Sequence, residues 1–342
     1  MEQNQLIKLR EGEFTDAVIA ITYMCNSRCI MCNIWQYKGP LPLDSKEYLK
    51  LPSSLRTVNI SGGEAFLRND IADVLANIKQ VAPKVKFKIS TNGFAVELTR
   101  KRMLEIMERV PKNDIAVVVS IDGYEDKQIE VRRIPDGYNK NIATIKMLRE
   151  IGIHDVTIAF TMGDYNYDHL LKMYQVANEL NCEFTMAVLH NSDHYFQITT
   201  NKIERLAQLR DEIMKLARLE LKTWNPKRWV RAFFEYGLVY YLIRNERILP
   251  NYAGRKAFFL DPNGFVYPAD VSPKAMGNIK DFNTFQDMLD TAEARTAATK
   301  EMSSPHWMVC TARTAIQSHP FIVINWIFKS KFFPKSLKTP TV

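Results

Sequence analysis

Cysteine is scarce in this sequence, and no long apolar run occurs. Five cysteines in 342 residues are too few for a disulfide framework, which excludes small stapled scaffolds and favours a reducing compartment. No window holds ~18 uninterrupted apolar residues, so a membrane-spanning helix is not expected. The opening Met1-Glu2-Gln3-Asn4-Gln5 lacks the basic-then-apolar order of a secretory leader. A cytoplasmic location is the expectation.

Acidic residues are missing altogether from 302–342, where Arg313, Lys329, Lys331, Lys335 and Lys338 stand. A second basic and aromatic run lies at 222–231, with Trp224, Lys227, Arg228, Trp229 and Arg231. In a chain of net charge +8, such runs attract nucleic acid, anionic lipid or an acidic substrate. No nucleic-acid fold signature accompanies them, which sets nucleic acid aside as a partner. The rest is ordinary: 46% hydrophobic and 25% charged residues describe a globular chain with ample core.

Three of the few cysteines sit together, as Cys25-x3-Cys29-x2-Cys32. Thiolates prefer soft metals, and three on one short loop can hold three corners of a cubane iron–sulfur cluster. No fourth cysteine is near, so one iron would stay open to a small molecule, as catalytic zinc sites keep an open position. The other readings are half of a zinc site, a disulfide fragment or buried thiols; zinc spacing usually brings a second C-x2-C pair, and none follows.

The loop is placed meaningfully in the chain. Short apolar runs at 16–22, 55–60, 86–90, 115–121, 155–161 and 183–189 read as buried strands. Helical patterns lie between several of them: near 71–78 with Asn69 or Asp70 as cap, from about 98, over 139–150 and over 170–180. Strands alternating with helices imply parallel pairing through right-handed crossovers. The expected fold is therefore α/β, a partial (β/α)6 TIM-like barrel over 1–220, with a small α+β extension over 221–342.

In such barrels chemistry sits on loops after the strands. Cys25–Cys32, Gly62-Gly63-Glu64, Thr91-Asn92-Gly93 and Asp122-Gly123 all fall there. Gly62-Gly63 lets backbone approach a ligand closely, Glu64 offers a carboxylate to an ammonium group, and Arg132 and Arg133 offer a fork to a carboxylate. Singly these are turns and solvated charges; their common position after strands is what carries weight. His190, Asp193, His194 and Tyr195 follow the sixth strand and are candidates to line a substrate site. Cys182, beside an apolar run, reads as a buried thiol.

Together these motifs resemble the radical S-adenosylmethionine superfamily: the cysteine motif with Met31 before its last cysteine, Ser61-Gly62-Gly63-Glu64, Ser90-Thr91-Asn92-Gly93, and Ser120-Ile121-Asp122-Gly123 followed by Val131-Arg132. The resemblance implies that Cys25, Cys29 and Cys32 ligate one 4Fe–4S cluster whose open iron chelates S-adenosylmethionine. It implies that Gly62, Gly63 and Glu64 receive the methionine amino group. Asn92 and Ser120 would lie near the ribose and carboxylate, Arg132 would neutralise the carboxylate, and Met31 would border the adenine. The implied chemistry is one-electron cleavage of the sulfonium to a 5′-deoxyadenosyl radical that abstracts hydrogen from a peptide, sugar or lipid-linked substrate. A reductant such as flavodoxin or ferredoxin is the implied partner. The alternative is a non-catalytic iron–sulfur or zinc-binding sensor or partner protein, which needs no sulfonium pocket.

The C-terminal third resembles the family's SPASM/twitch extension. Tyr252-Ala253-Gly254 and the 259–268 segment, with Pro262-Asn263-Gly264 as its turn, look like that extension's opening hairpin. Asn251, Ala269, Ser303 and His306 stand where cysteines are expected, so a single cluster is expected in the chain. Cys310 alone remains there, as a remnant, a packed thiol or a hydrogen donor to a substrate radical. The apolar, lysine-edged 320–333 segment reads either as a helix docked on the barrel or as a peripheral membrane contact.

Overall fold

The computed structural model describes residues 7–333, 337 and 339–340. Lys335 and Lys338, and the opening Met1–Gln5 stretch, lie outside these. Six parallel strands form the scaffold: β1 (Asp16–Ala20), β2 (Thr57–Ser61), β3 (Lys86–Thr91), β4 (Ile115–Ser120), β5 (Val156–Met162) and β6 (Glu183–Val188). They lie side by side in chain order, as expected. Helices α1 (Ile71–Val81), α2 (Val96–Met107), α3 (Asp126–Arg132), α4 (Gly137–Glu150) and α5 (Leu170–Glu179) fill the four crossovers after β2. The β1–β2 connection, which carries the cysteine loop, holds only short 3-10 turns at Ile34–Gln36 and Ser45–Lys50, so the first unit departs from the expected strand-then-helix repeat. In α1 the buried Ile71, Val74, Leu75 and Ile78 form one apolar stripe that covers the sheet.

The expected cap of α1 takes a different form. Asp70 occupies the N-cap position without capping; its carboxylate instead receives Nε and Nη2 of Arg68, at 2.7 and 2.9 Å. Arg68 is almost wholly buried and also donates to the Ile21 and Leu43 carbonyls. A buried guanidinium needs all its donors satisfied. Here they clamp the exit of β1, where the cysteine loop begins.

After β6 come two long helices, α6 (Leu206–Lys222) and α7 (Pro226–Arg244), packed on each other. The sequence gives α7 a start signal: Asn225 accepts from the Lys227 amide at 3.0 Å, and Pro226 takes the first turn. The chain then returns to the sheet. β7 (Ala257–Leu260) pairs parallel with β1, and β8 (Phe265–Tyr267) and β9 (Gly277–Asn278) add antiparallel beyond it. The nine-stranded sheet runs β6-β5-β4-β3-β2-β1-β7-β8-β9 and remains open, not a closed barrel. The expected hairpin over 259–268 is thus present as β7–β8, and it continues the barrel sheet. Helices α8 (Phe285–Leu289), α9 (Ala292–Met302), α10 (Val309–Ser318) and α11 (Pro320–Phe332) complete the C-terminal part.

Candidate cofactor and substrate cavity

Cys25, Cys29 and Cys32 line a cavity of about 300 Å³. The other walls come from the C-terminal ends of the strands: Ser61 from β2, Ser90 and Thr91 from β3, Ser120 from β4, Thr161 from β5 and Ala187 from β6. Every barrel strand after the first therefore sends a small or hydroxyl-bearing side chain to the mouth that the cysteine loop covers. This is the convergence expected of chemistry carried on strand-end loops.

The loop is held from three sides. Gly63 N donates to Thr22 O and Glu64 N to Met24 O, each at 2.8 Å. Gly62 has φ +129°, and a Cβ on it would lie 2.2 Å from Thr22 O; one on Gly63 would lie 2.2 Å from Met24 O. Both glycines line the cavity, and the backbone they approach this closely is that of the cysteine loop itself. On the β3 side, Asn92 Nδ2 donates to Asn26 Oδ1 at 2.7 Å and stands 3.9 Å from Cys25 Sγ. On the α3 side, Ser27 Oγ donates to Arg132 O at 2.9 Å, and Ile30 N to Val131 O at 3.0 Å.

Glu64 turns away from the cavity. Its carboxylate is buried and accepts from Thr91 Oγ1 at 2.9 Å, Asn92 N at 2.7 Å and Phe66 N at 3.2 Å. Burial pushes its pKa up to about 7, against the lowering effect of those three hydrogen bonds. The structure gives it the work of tying the β2 loop to the β3 loop.

Arg132 lines the cavity. Its Nε pairs with Asp122 and its Nη1 stands 3.6 Å from Cys29 Sγ. Burial works against its charge, yet Asp122 and Cys29 beside it hold the guanidinium firmly protonated. Asp122 is fully buried and also accepts from Thr161 N at 2.7 Å. Burial pushes the Cys25 and Cys32 thiols up to about 12 and about 11, so binding a soft metal there releases protons. Met31 and Ser120 complete the predicted set, and both line the cavity.

The far wall was only partly foreseen. His190, Tyr195 and Phe196 line it; Tyr195 Oη and Ser61 Oγ share a 2.6 Å hydrogen bond. His190 Nε2 stands 3.4 Å from Asp270 Oδ2, a residue 80 positions later that the β7–β8 hairpin delivers. Asp270 is buried, which alone would raise its pKa, but His190 holds it below the usual range. His194 stacks on Tyr267 at 3.9 Å and 9°, and burial lowers its pKa. Asp193 is exposed. Arg133 takes a left-handed conformation that ends α3.

Cys310 does not line the cavity; burial pushes its thiol up to about 12. The positions where cysteines were expected are knitted by hydrogen bonds. Asn251 Nδ2 donates to Glu301 O at 2.8 Å, Ala269 N to Ser272 Oγ, Ser272 Oγ to Glu301 Oε2, and Ser304 Oγ bonds His306 Nδ1 at 2.7 Å. Ser303 Oγ turns back to Lys300 O. Among the described residues no three His, Cys, Asp or Glu side chains are grouped to grip a single metal ion. A cubane asks for a wider spread, because each thiolate binds a different iron.

An open parallel barrel with a cysteine-lined cavity at its strand ends defines a class of metal-cofactor proteins. Residues 19–177 match the Radical SAM superfamily model. Curated relatives include the "Probable GTP 3′,8-cyclase" of Saccharolobus islandicus (strain L.S.2.15 / Lassen #1), 24% identical over 183 residues, which are 51% of this chain and 57% of the relative. The protein of the same name from Saccharolobus solfataricus is 23% identical over 69% of this chain and 70% of its own. The chain thus spans little more than half of the first of these relatives. Among solved structures, Streptococcus suis SuiB bound to S-adenosylmethionine superposes with TM-score 0.58 at 18% identity, covering 82% of this chain and 66% of that one. anSMEcpe with bound AdoMet and Cp18Cys peptide gives TM-score 0.62 at 14% identity, covering 92% and 99%. At these identities the structures share the fold. The superfamily's cofactors are a 4Fe–4S cluster and S-adenosylmethionine, and the donor set fits them: three thiols on one loop, a guanidinium beside one, and polar strand ends opposite.

Proposed function

We propose that the chain is a radical S-adenosylmethionine enzyme that takes hydrogen from a C–H bond of a peptide, sugar or lipid-linked substrate. The observation that carries this is the convergence of Cys25, Cys29, Cys32 and the polar strand ends on one cavity. Bound there, the cluster and S-adenosylmethionine supply one-electron cleavage of a sulfonium and, through it, hydrogen abstraction. Cys25, Cys29 and Cys32 hold the cluster. Arg132 neutralises the carboxylate of S-adenosylmethionine, Asn92 and Ser120 offer hydrogen bonds to its polar groups, and Met31 packs against its adenine. The Gly62-Gly63 backbone accepts the amino group, while Glu64 braces that turn from behind.

His190, Tyr195, Phe196 and Trp35 form the wall left for substrate, with aromatic faces for contact and the His190–Asp270 pair for a proton or a hydrogen bond. Asp270 and Tyr267 back this side through His190 and His194, and Asn251, Ala269, Ser303 and His306 leave a second cluster without its thiolates. A one-electron donor such as flavodoxin or ferredoxin in a reducing cytoplasm serves the cluster. Anaerobic reconstitution tests the reading: about four irons per chain, with an electron paramagnetic resonance signal of the reduced protein that changes when S-adenosylmethionine is added. About eight irons would add a second cluster and contradict the single-cluster assignment. A signal indifferent to S-adenosylmethionine would favour a non-catalytic iron–sulfur protein.

A further inference from the structure

Helix α11 is apolar on both faces, and only one of them is covered. Its inner side packs on α7: Val323 is buried, and Trp326 stands 5.2 Å from Phe233 and 5.1 Å from Tyr236 between ring centroids. On the outer side Phe321, Ile324, Phe328 and Phe332 are exposed by 86, 62, 54 and 53%. Positions spaced three or four apart share one helix face, so these four make a continuous stripe. A helix that is apolar all round is normally buried all round, and an exposed apolar patch of this size marks an interaction surface.

Cations frame the stripe. Lys331 Nζ sits 4.7 Å from the ring centroids of both Trp224 and Trp229 and donates to Leu221 O and Thr223 O. It thereby joins the exposed Trp224 to the same surface. A second cavity, of about 350 Å³, opens beside it and is lined by Arg218, Lys222, Trp224, Lys331 and Phe332 among others; it shares no residue with the cysteine cavity. Carboxylates are nearly absent here. None occurs in 302–342, and between Thr223 and Arg244 the single acid, Glu235, is buried. Glu220, on α6, is buried against Arg231.

We propose that this face docks on an anionic phospholipid surface, with α11 lying in the headgroup plane. Phe321, Ile324, Phe328 and Phe332 enter the acyl boundary while the exposed Arg218 and Lys222 meet lipid phosphates. Stable anchoring at a membrane takes two signals, such as an apolar one and a basic one, and the surface holds both. Charge decides against a second copy of the chain as occupant, because two such faces would set cations against cations. At 13 residues, or about 20 Å, α11 is too short to cross a bilayer core of about 30 Å, and no described helix is long and apolar enough to do so. The inference is independent of the cavity chemistry.

Flotation of the full-length reconstituted protein tests it, using vesicles of phosphatidylcholine alone or mixed with phosphatidylglycerol. The wild type should float with the phosphatidylglycerol vesicles, with a blue shift in tryptophan emission. It should be released at about 1 M salt, where the Debye length falls to about 3 Å. The triple variant Phe321→Ser/Phe328→Ser/Phe332→Ser should partition at least ~tenfold more weakly while keeping wild-type iron content and thermal unfolding, because the replaced rings are solvent-facing. Failure of the wild type to float with either vesicle overturns the proposal. So does undiminished binding by the triple variant. A wild-type dimer that the triple variant dissolves, without vesicle binding, would assign the face to a second copy instead.

Discussion

Adding one methyl group at Gly63 should dislodge the cysteine loop. An alanine Cβ there would stand 2.2 Å from Met24 O, 2.6 Å from Met24 C and 2.8 Å from Tyr23 O. Real Cβ contacts essentially never fall below 3.0 Å, so the loop backbone must retreat by most of an ångström. That retreat pulls on the Gly63 N to Thr22 O and Glu64 N to Met24 O bonds, each 2.8 Å. Overpacking of this kind costs about 1–3 kcal/mol, and weakening one backbone hydrogen bond adds about 1 kcal/mol. The obstacle is backbone and cannot rotate aside. Gly63→Ala should therefore lower stability by about 2–4 kcal/mol and reconstitute with clearly less iron. Gly12→Ala is the control, since a Cβ there meets nothing within 4 Å; its stability should match or slightly exceed wild type. Paired denaturant melts and iron assays decide. Wild-type stability and full iron in Gly63→Ala would refute the steric account of the Gly62-Gly63 turn.

Other expectations follow from buried charge. Arg132→Met leaves the fully buried Asp122 without its cation and should cost about 3–5 kcal/mol in a urea melt, with Arg132→Lys recovering part of the loss. Glu220 and Glu235 share a buried site near Arg231, where burial first, and for Glu235 its neighbour Glu220, raise the pKa, Glu220 to about 7. A carboxyl that holds its proton more tightly folded than unfolded stabilises the fold below its unfolded pKa of about 4.3, and that stability is lost as pH rises through 7. Melting temperatures should therefore fall from pH 5 to pH 8 in the wild type, and fall less in Glu235→Gln; equal slopes would remove Glu235 as the cause.

Much of the fold was legible because β1 and β4 are nearly continuous apolar runs and the other four parallel strands bury every second residue. The expected and observed strand bounds differ by at most two residues at either end, for instance 16–22 against Asp16–Ala20. Strand order followed from the helical crossovers. The return of β7 to β1 was not legible: Ala257–Leu260 is another short apolar run, and nothing local says which edge it joins. For the same reason Asp270 was missed while His190 was flagged, since only the hairpin brings them to 3.4 Å. Residue types at the site were readable, but side-chain direction was not. Glu64 carries the carboxylate its motif suggested, yet the amides of Phe66 and Asn92 draw it inward. The Gly-Gly spacing pointed to close backbone approach, and the partner turned out to be the loop's own carbonyls.

The central claim is that Cys25, Cys29 and Cys32 hold a cluster that cleaves S-adenosylmethionine. The most direct test is 5′-deoxyadenosine formation by anaerobically reconstituted, dithionite-reduced protein given S-adenosylmethionine. Wild type should form it and Cys29→Ala should not. A wild-type protein that carries its full cluster yet forms none, or a Cys29→Ala variant that forms as much, would contradict the account.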